Sequence, residues 1–237
     1  MVGVPVAISP KCETCRMRRQ NWFCNLPQDA LAELDRVKQA RMFATGENVL
    51  EQGKPASEVI IVCDGCVSLS FSSAGGNALM LGFSDPGEVL GLSSALSGRP
   101  HQTSAVAREN TRTAAIPCSE FMRLLERFAP AAMNASTELS RKVNRAYDKL
   151  SLIGSGLSVL QRLAAWLLEM QDNCSPCRDA VKLSLTHEQI AQLLGASRES
   201  VTRGLSHLKR LGVVEIRGIH LYVRDRTYLR SLVHASK

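Results

Sequence analysis

No apolar run in these 237 residues approaches the ~18 needed to cross a bilayer, which excludes a membrane-spanning helix. The start, Met1 to Pro10, has neither a basic head nor a long apolar stretch, so no secretory leader is expected. The marks of common enzymes are missing too. There is no Ser/His/Asp set, no cleft pattern of paired carboxylates, no phosphate loop and no dinucleotide fingerprint. Low-complexity and collagen-like segments are also lacking. At 45% apolar and 22% charged residues, the composition is that of a folded globular chain. At roughly 100–200 residues per domain, the length suggests one or two domains with proper cores.

What is present begins with an uneven charge. The total is +7, from 29 Lys and Arg against 22 Asp and Glu, with a pI near 9.1. Residues 26–157 hold 13 basic and 14 acidic side chains, whereas residues 158–237 hold 12 and 7, with four of the five histidines. A neutral middle before a basic C-terminal third points to a polyanionic partner for that third, or to a solvated basic face.

The middle reads as β. Val59-Ile60-Ile61-Val62, a break at Asp64-Gly65 and the alternating Val67-Ser68-Leu69-Ser70-Phe71 predict a hairpin turning at Asp64-Gly65. Further glycines at Gly46, Gly53, Gly75, Gly76, Gly87, Gly91 and Gly98 separate short strands, the pattern of a small barrel or roll without free sheet edges. Helices follow. Ser119 is placed to cap a short one from Glu120 to Phe128, which Pro130 ends. From Ala131 to Ile153, the positions Leu139, Val143, Ala146, Leu150 and Ile153 are spaced 4, 3, 4, 3. That is a seam for a partner helix, or the apolar face of a helix lying on the barrel. Gly154-Ser155-Gly156 then offers a hinge and a domain boundary.

The last eighty residues read as compact and helical with a β ending. Leu160, Leu163, Ala164, Leu167 and Leu168 form a stripe, and a loop with Cys174, Pro176 and Cys177 follows. Thr186 and Gln189 make a capping box for a short helix to Leu194, and Gly195-Ala196-Ser197 turns the chain. A second helix, Arg198 to Leu211, has Val201, Leu205 and Leu208 on one face, and Val213 to Val223 alternates around Gly218 as a two-stranded wing. Two short helices joined by a Gly-containing turn are a helix-turn-helix, whose second helix enters the DNA major groove by its N-terminal end. Arg198 and Arg203 are suited to guanine O6 and N7, and Glu199 to cytosine N4. Ser197, Ser200 and Thr202 are placed to hold phosphates and set register.

Thr186 to Arg203, reading T-H-E-Q-I-A-Q-L-L-G-A-S-R-E-S-V-T-R, resembles the DNA-binding signature of the Crp/Fnr transcription regulators. The resemblance extends over nearly the whole chain and implies an α+β fold in four parts. These are a Cys-rich arm over 1–25, a cyclic-nucleotide-binding-like β-roll (a jelly roll) over 26–130, a dimerisation helix and hinge over 131–156, and a winged helix-turn-helix over 157–237. It also implies a cytoplasmic homodimer that binds palindromic double-stranded DNA and contacts RNA polymerase, with no enzymatic activity and no membrane association. The dimer would set its recognition helices about 34 Å apart. By this resemblance Arg198, Glu199 and Arg203 read the half-site, which in the cyclic-AMP receptor branch is TGTGA-like. Thr202 stands where the oxygen-sensing branch usually carries Ser.

The same resemblance frames the signal. The positions matching the family's nucleotide-binding Glu and Arg are Leu92 and Gln102. A cyclic phosphate buried without its Arg leaves an unpaired charge, so cyclic AMP is not expected to bind. The eight cysteines suggest another sensor, since disulfides are rare in a reducing cytosol. Cys12-x2-Cys15 with Cys24 resembles the ligand cluster of the family's iron–sulfur regulators and implies a 4Fe-4S cluster. The family's fourth Cys, two residues before Ile-Pro, is Ala114 here. Cys118 is the leading substitute, with Cys63 and Cys66 as others. Zinc on the same thiolates, a metal-free thiol switch, and an arm that merely packs on the roll remain alternatives. Lys11, Arg16, Arg18 and Arg19 are expected to lower the pKa of the arm's thiols. Cys63, within an apolar strand, fits a buried small hydrophobe, and Cys174 with Cys177 is a second candidate metal pair. The enzymatic rival is a thiol oxidoreductase, whose Cys-x2-Cys here lacks a βαβ setting.

Overall fold

The computed structural model describes residues 4–5, 11–15, 22–73, 78–154, 156–173, 180–182, 185–217 and 220–234. Two compact units divide the chain, Met1–Ala146 and Tyr147–Lys237, the boundary falling inside a long helix.

The first unit contains β1 (Val4–Pro5), short 3-10 turns at Cys12–Thr14 and Trp22–Cys24, and α1 (Gln28–Val37). Then come β2 (Gln39–Phe43), β3 (Asn48–Leu50), β4 (Glu58–Asp64), β5 (Val67–Ser72), β6 (Ala78–Ser84), β7 (Val89–Leu90) and α2 (Leu92–Ser97). β8 (Ser104–Ala107), β9 (Thr111–Pro117), α3 (Cys118–Arg127) and α4 (Ala129–Gly154) complete this series. The strands form two antiparallel sheets, in the orders β1-β2-β9-β4-β7 and β3-β8-β5-β6. This is the expected roll.

β4 explains why its sequence does not alternate. Val59 and Ile61 pack with Phe23, Leu31, Leu34, Ile116 and Phe121, beneath the helices. Ile60 and Val62 point the other way, into a cluster with Phe43, Leu50, Val67 and Ala105. Successive strand residues face opposite sides, so an unbroken apolar run is what a strand buried on both faces requires. Each such side chain contributes about 1.5–3 kcal/mol of burial.

The hairpin expected at Asp64-Gly65 is not one. β4 pairs with β7 and β9, and β5 pairs with β6 and β8, so this turn carries the chain from one sheet into the other. Gly65 has φ +91°, and a Cβ there would stand 2.6 Å from Thr111 Oγ1 and 2.8 Å from Thr111 Cα. The glycine answers a tight crossing against β9 rather than a two-residue hairpin. The short helix expected from Glu120, capped by Ser119, begins two residues earlier at Cys118, with Pro117 at its cap and no side-chain cap bond. Pro117 supplies a fixed φ, and Ser119 falls inside the first turn.

α4 covers the expected Ala131–Ile153, but its seam does not behave as one face. Leu139 packs on the roll's core, Ile153 approaches Gly195, and Val143 and Leu150 are exposed.

The second unit adds α5 (Val159–Asn173), β10 (Ala180–Lys182), α6 (His187–Leu194), α7 (Arg198–Arg210), β11 (Val214–Arg217), β12 (His220–Val223) and α8 (Arg226–His234). Leu163, Ala164, Leu167, Ile190, Leu194, Val201, Leu205, Leu208 and Leu229 are among its buried apolar side chains. The wing has three strands rather than two, in the order β10-β12-β11, because Ala180–Lys182 pairs with β12. Three residues are too few for period-2 alternation to mark a strand. Gly218, Cys174, Pro176 and Cys177 lie outside the described residues.

Candidate functional site

The helix pair α6–α7 is held by its own sequence. Thr186 Oγ1 accepts from the Gln189 N–H at 3.2 Å and Gln189 Oε1 accepts from the Thr186 N–H at 2.9 Å, closing the expected capping box. Gly195 ends α6 in the left-handed region at φ +58°, where a side chain with Cβ is disfavoured. Two residues on, Ser197 Oγ caps α7 by accepting from the Ser200 N–H at 3.2 Å. The turn between the helices is therefore bounded by a C-cap and an N-cap, which fixes the angle at which α7 leaves.

α7 buries Val201, Gly204, Leu205 and Leu208. A Cβ on Gly204 would come within 3.0 Å of Leu163 Cδ2, so the absent side chain lets α7 lie close on α5. Arg198, Glu199, Arg203, Ser206, Lys209 and Arg210 are exposed. Hydrogen bonds to its own backbone N–H and to Ser197 keep the exposed Glu199 carboxyl below the usual carboxylate range. It stands as an ionised acceptor between two guanidinium donors.

The hydroxyls assigned to phosphate are partly engaged inside the motif. Ser197 caps α7, and Ser200 Oγ accepts from Arg203 Nη2 at 3.1 Å and from Ser197 Oγ at 3.0 Å. Thr202 Oγ1 donates to the Arg198 carbonyl at 2.9 Å and lies 2.9 Å from His187 Nδ1. Sequence reasoning missed His187, whose position at the first turn of α6 leaves no periodic signal. It also missed the basic edge of the wing. Arg217 and Arg224 lie over the Tyr222 ring at 5.7 and 5.2 Å, and both pair with Glu215.

In the roll, Leu92 is buried in the apolar core and Gln102 is exposed. The carboxylate of this turn, Glu88, is itself buried and accepts from Ser84 Oγ at 2.9 Å. It also takes two bonds, 2.8 and 3.1 Å, from the Arg145 guanidinium on α4. Lys142 donates to the Val89 carbonyl and lies 3.6 Å from the buried Glu138 carboxylate. Burial raises the Glu138 pKa and lowers that of Lys142. Thus the β6–β7 turn is tied to α4 by charge. His101 is buried, its ring against the spot a Gly91 Cβ would fill.

The thiols form a second constellation. The 3-10 turn Cys12–Thr14 closes through the Cys15 N–H to Cys12 carbonyl bond, and α1 anchors it. Both carboxylate oxygens of Asp35 accept from the Cys12 N–H, at 2.9 and 3.0 Å. Lys38 Nζ donates to Cys12 Sγ at 3.2 Å and pairs with Asp35. Cys24 is buried beside Phe23, which packs on Phe121 at 5.3 Å between ring centroids. Asn134 Nδ2 on α4 donates to the carbonyls of Phe23 at 3.3 Å and Asn25 at 3.1 Å, bracketing Cys24. Cys118 Sγ lies 3.4 Å from the Ala56 carbonyl, with Glu58 as its electrostatic neighbour. Cys66 sits among Asp85, Glu109, Arg108 and Glu88.

The expected lowering of thiol pKa is overturned at Cys12 and Cys24. Burial pushes Cys12 up to about 12 and Cys24 higher still, with Lys38 opposing only in part. Desolvation of the thiolate outweighs the nearby cation. Arg16, Arg18 and Arg19 lie outside the described residues, and Lys11 is exposed.

Two domain families match the chain. Residues 40–128 match the cyclic nucleotide-binding domain and residues 161–232 the Crp-like helix-turn-helix domain. The transcriptional regulatory protein Btr of Bordetella pertussis is 26% identical over 235 residues, 96% of each chain. The cyclic AMP receptor protein of Thermus thermophilus is 29% identical over 82% of this chain and 88% of its own. Among solved structures, FixK2 of Bradyrhizobium japonicum superposes with a TM-score of 0.73 at 25% identity, over 85% of this chain and all of that one.

Proposed function

The chain belongs to the Crp/Fnr regulators, a non-enzymatic family that binds DNA through its helix-turn-helix domain, and from that premise we propose that it is a homodimer acting on palindromic promoter sites. α7 enters the major groove, with Arg198 and Arg203 donating to guanine and Glu199 accepting from cytosine. Ser197, Ser200 and Thr202 set the helix start and its phosphate register. One observation carries this reading. The exposed face of a helix capped at its own start presents Arg198, Glu199 and Arg203 together. The dimer forms along α4, where Met133, Val143, Tyr147 and Leu150 are each at least 48% exposed although apolar or aromatic. RNA polymerase is the further partner that the family implies, and the cytoplasm the setting.

The signal is sensed at the arm's thiols, which hold an oxygen- or redox-sensitive 4Fe-4S cluster. The donor set supports this: Cys12, Cys15 and Cys24 are brought to one corner of the roll, and Asn134 joins that corner to the dimerisation helix. When bound, such a cluster supplies oxidation-sensitive iron at the arm. The chain's own residues hold the arm, exclude water around Cys24 and pass a shift to α4, moving the population between two DNA-binding geometries. Cyclic AMP is not the effector, because Leu92 and Gln102 give its ribose and phosphate no charged partner.

The recognition helix is tested by titrating a palindromic operator with the Arg203→Ala protein. Loss of one bidentate base contact costs about 1–3 kcal/mol, roughly 5- to 150-fold in specific affinity, with a smaller loss on unrelated DNA. Unchanged specific affinity would place the reading surface elsewhere.

A further inference from the structure

Three thiols on the arm leave a four-thiolate cluster one ligand short, and the packing of β4 on the arm's apolar cluster supplies the fourth. We infer that Cys63, near the end of β4, completes the set with Cys12, Cys15 and Cys24, clamping the arm to the roll. This rests on the cluster reading above and names its missing ligand.

The placement follows from strand geometry. On β4, Val59, Ile61 and Cys63 share one face, and Cys63 packs against the same apolar cluster that holds Cys24 and borders Cys12. Electrostatically, Cys24 interacts with Cys63, Cys12 and Cys15, and Cys63 with Cys15. Cys24 is therefore the hub, near each of the other three thiols, and Cys63 is near Cys15 as well, although the four come from three separated stretches of chain. Ile61 pairs directly with Ala114, which puts Cys63 diagonally across from the position where the resembling iron–sulfur regulators carry their fourth Cys. The ligand has moved to the adjacent strand while staying on the same face.

Neither other candidate reaches this corner. Cys118 follows Pro117, which pairs with Glu58 at the opposite end of β4 from Cys63. Five strand positions separate the two ends, on the order of 16 Å. Cys66 lies beyond the Gly65 crossing, among three carboxylates that oppose thiolate formation.

A cluster and a single ion place different demands on the thiols. Among the described residues, no three Cys, His, Asp or Glu groups converge on one metal-ion position. A tetrahedral zinc at about 2.3 Å from each sulfur requires thiolates about 3.8 Å apart. A cubane binds its four thiolates at four different irons, so its ligands stand further apart. Lys38, whose side chain is 6% exposed, places a buried cation 3.2 Å from Cys12 Sγ, where it offsets thiolate charge. On assembly each of the four thiols gives its proton to solvent as its sulfur binds iron. A cubane of charge 2+ holds two ferrous and two ferric ions, so the ferric iron supplied with the ferrous iron provides the oxidation level and no electron has to leave the chain's own residues.

The test uses the full chain, purified without air and reconstituted with equal amounts of ferrous and ferric iron and with sulfide. Iron, sulfide and zinc are quantified alongside the visible spectrum. The unaltered protein is expected to take up about four irons and four sulfides per chain. Cys63→Ser and Cys24→Ser are expected to lose at least nine-tenths of that load and its charge-transfer band, whereas Cys118→Ser and Cys66→Ser keep both. Circular dichroism and the urea midpoint check that Cys63→Ser folds. The double variant Cys63→Ala/Ala114→Cys is expected to regain the load, a rescue that a packing role for Cys63 does not produce. Full iron uptake by Cys63→Ser, or its loss in Cys118→Ser alone, overturns the Cys63 assignment and leaves the cluster reading intact. Zinc uptake with no iron in the unaltered protein overturns both.

Discussion

The recognition helix and the thiol corner reach their arrangements by different routes. From Thr186 to Arg203 the second unit uses contiguous residues, each capped or turned by a neighbour three to five positions away. The thiol corner draws on Cys12 and Cys15, on Cys24, and on β4, and nothing local joins them. α1, Phe121 on α3 and the register of β4 with β9 bring them together. Their surroundings differ as well. The groups on α7 are exposed and ionised, ready for a charged partner. At the thiol corner burial holds Cys12 and Cys24 in their protonated form, so that a ligand must displace their protons to enter. A site built from local contacts is legible residue by residue, whereas a site built by packing is only as visible as the fold around it.

That contrast can be broken most forcefully at Phe23. Its ring is fully buried against Phe121 and it neighbours Cys24, so Phe23→Ala is expected to cost about 3–5 kcal/mol in urea unfolding. Iron loading should fall with it, since the Phe23 ring anchors the turn that carries Cys24 in the core. A loss below about 1 kcal/mol would mean that the arm is not packed as a part of the core.

A smaller effect is expected within the local motif. Thr186→Ala removes the capping box of α6 and should destabilise the second unit by about 1 kcal/mol, lowering operator affinity through the turn. Iron content should be unchanged. If iron fell as well, the two sites would not be separable as described.

The finest test is Asn134→Ala, which removes two hydrogen bonds, one of them to an exposed carbonyl, worth about 0.5–1 kcal/mol each at most. Stability and cluster content should barely move. The ratio of operator affinities between anaerobic and air-exposed protein should shrink by about twofold or more, because the arm's link to α4 is cut. An unchanged ratio would route the signal instead through Glu88 and Arg145.

Parts of the molecule were open to reading from the chain alone for a stated reason. The capping box, the glycine turn and the apolar face of α7 are all set by residues within a few positions, and the roll's glycines and short apolar runs announce themselves in order. The failures share a cause too. Asp64-Gly65 looks like a hairpin because turn chemistry is local, yet strand pairing is decided by the partners each face finds, and β5 found β6 and β8. The 4, 3, 4, 3 seam on α4 allowed a partner helix or a face on the roll, and the single chain divides between them: Leu139 packs on the roll's core, while Val143 and Leu150 stay exposed on the surface proposed for the dimer. Nothing in the sequence singles out the four charged residues Glu88, Glu138, Lys142 and Arg145. Glu88 and Glu138 are in fact buried, with both cations drawn onto them.

By itself, then, the sequence determined the kind of protein this is. Short-range capping, turn and periodicity rules suffice to specify a helix-turn-helix with Arg198, Glu199 and Arg203 on it, and a neutral β-roll before it. Only the tertiary structure decided which thiols are neighbours and what state they are in. Proximity between Cys63 and Cys24 depends on two layers packing across 39 positions of chain, and thiol ionisation depends on burial. Neither is a property of any residue's sequence neighbours. Flanking cations argued for reactive thiols, but desolvation, which exists only once the layers close, had the larger effect.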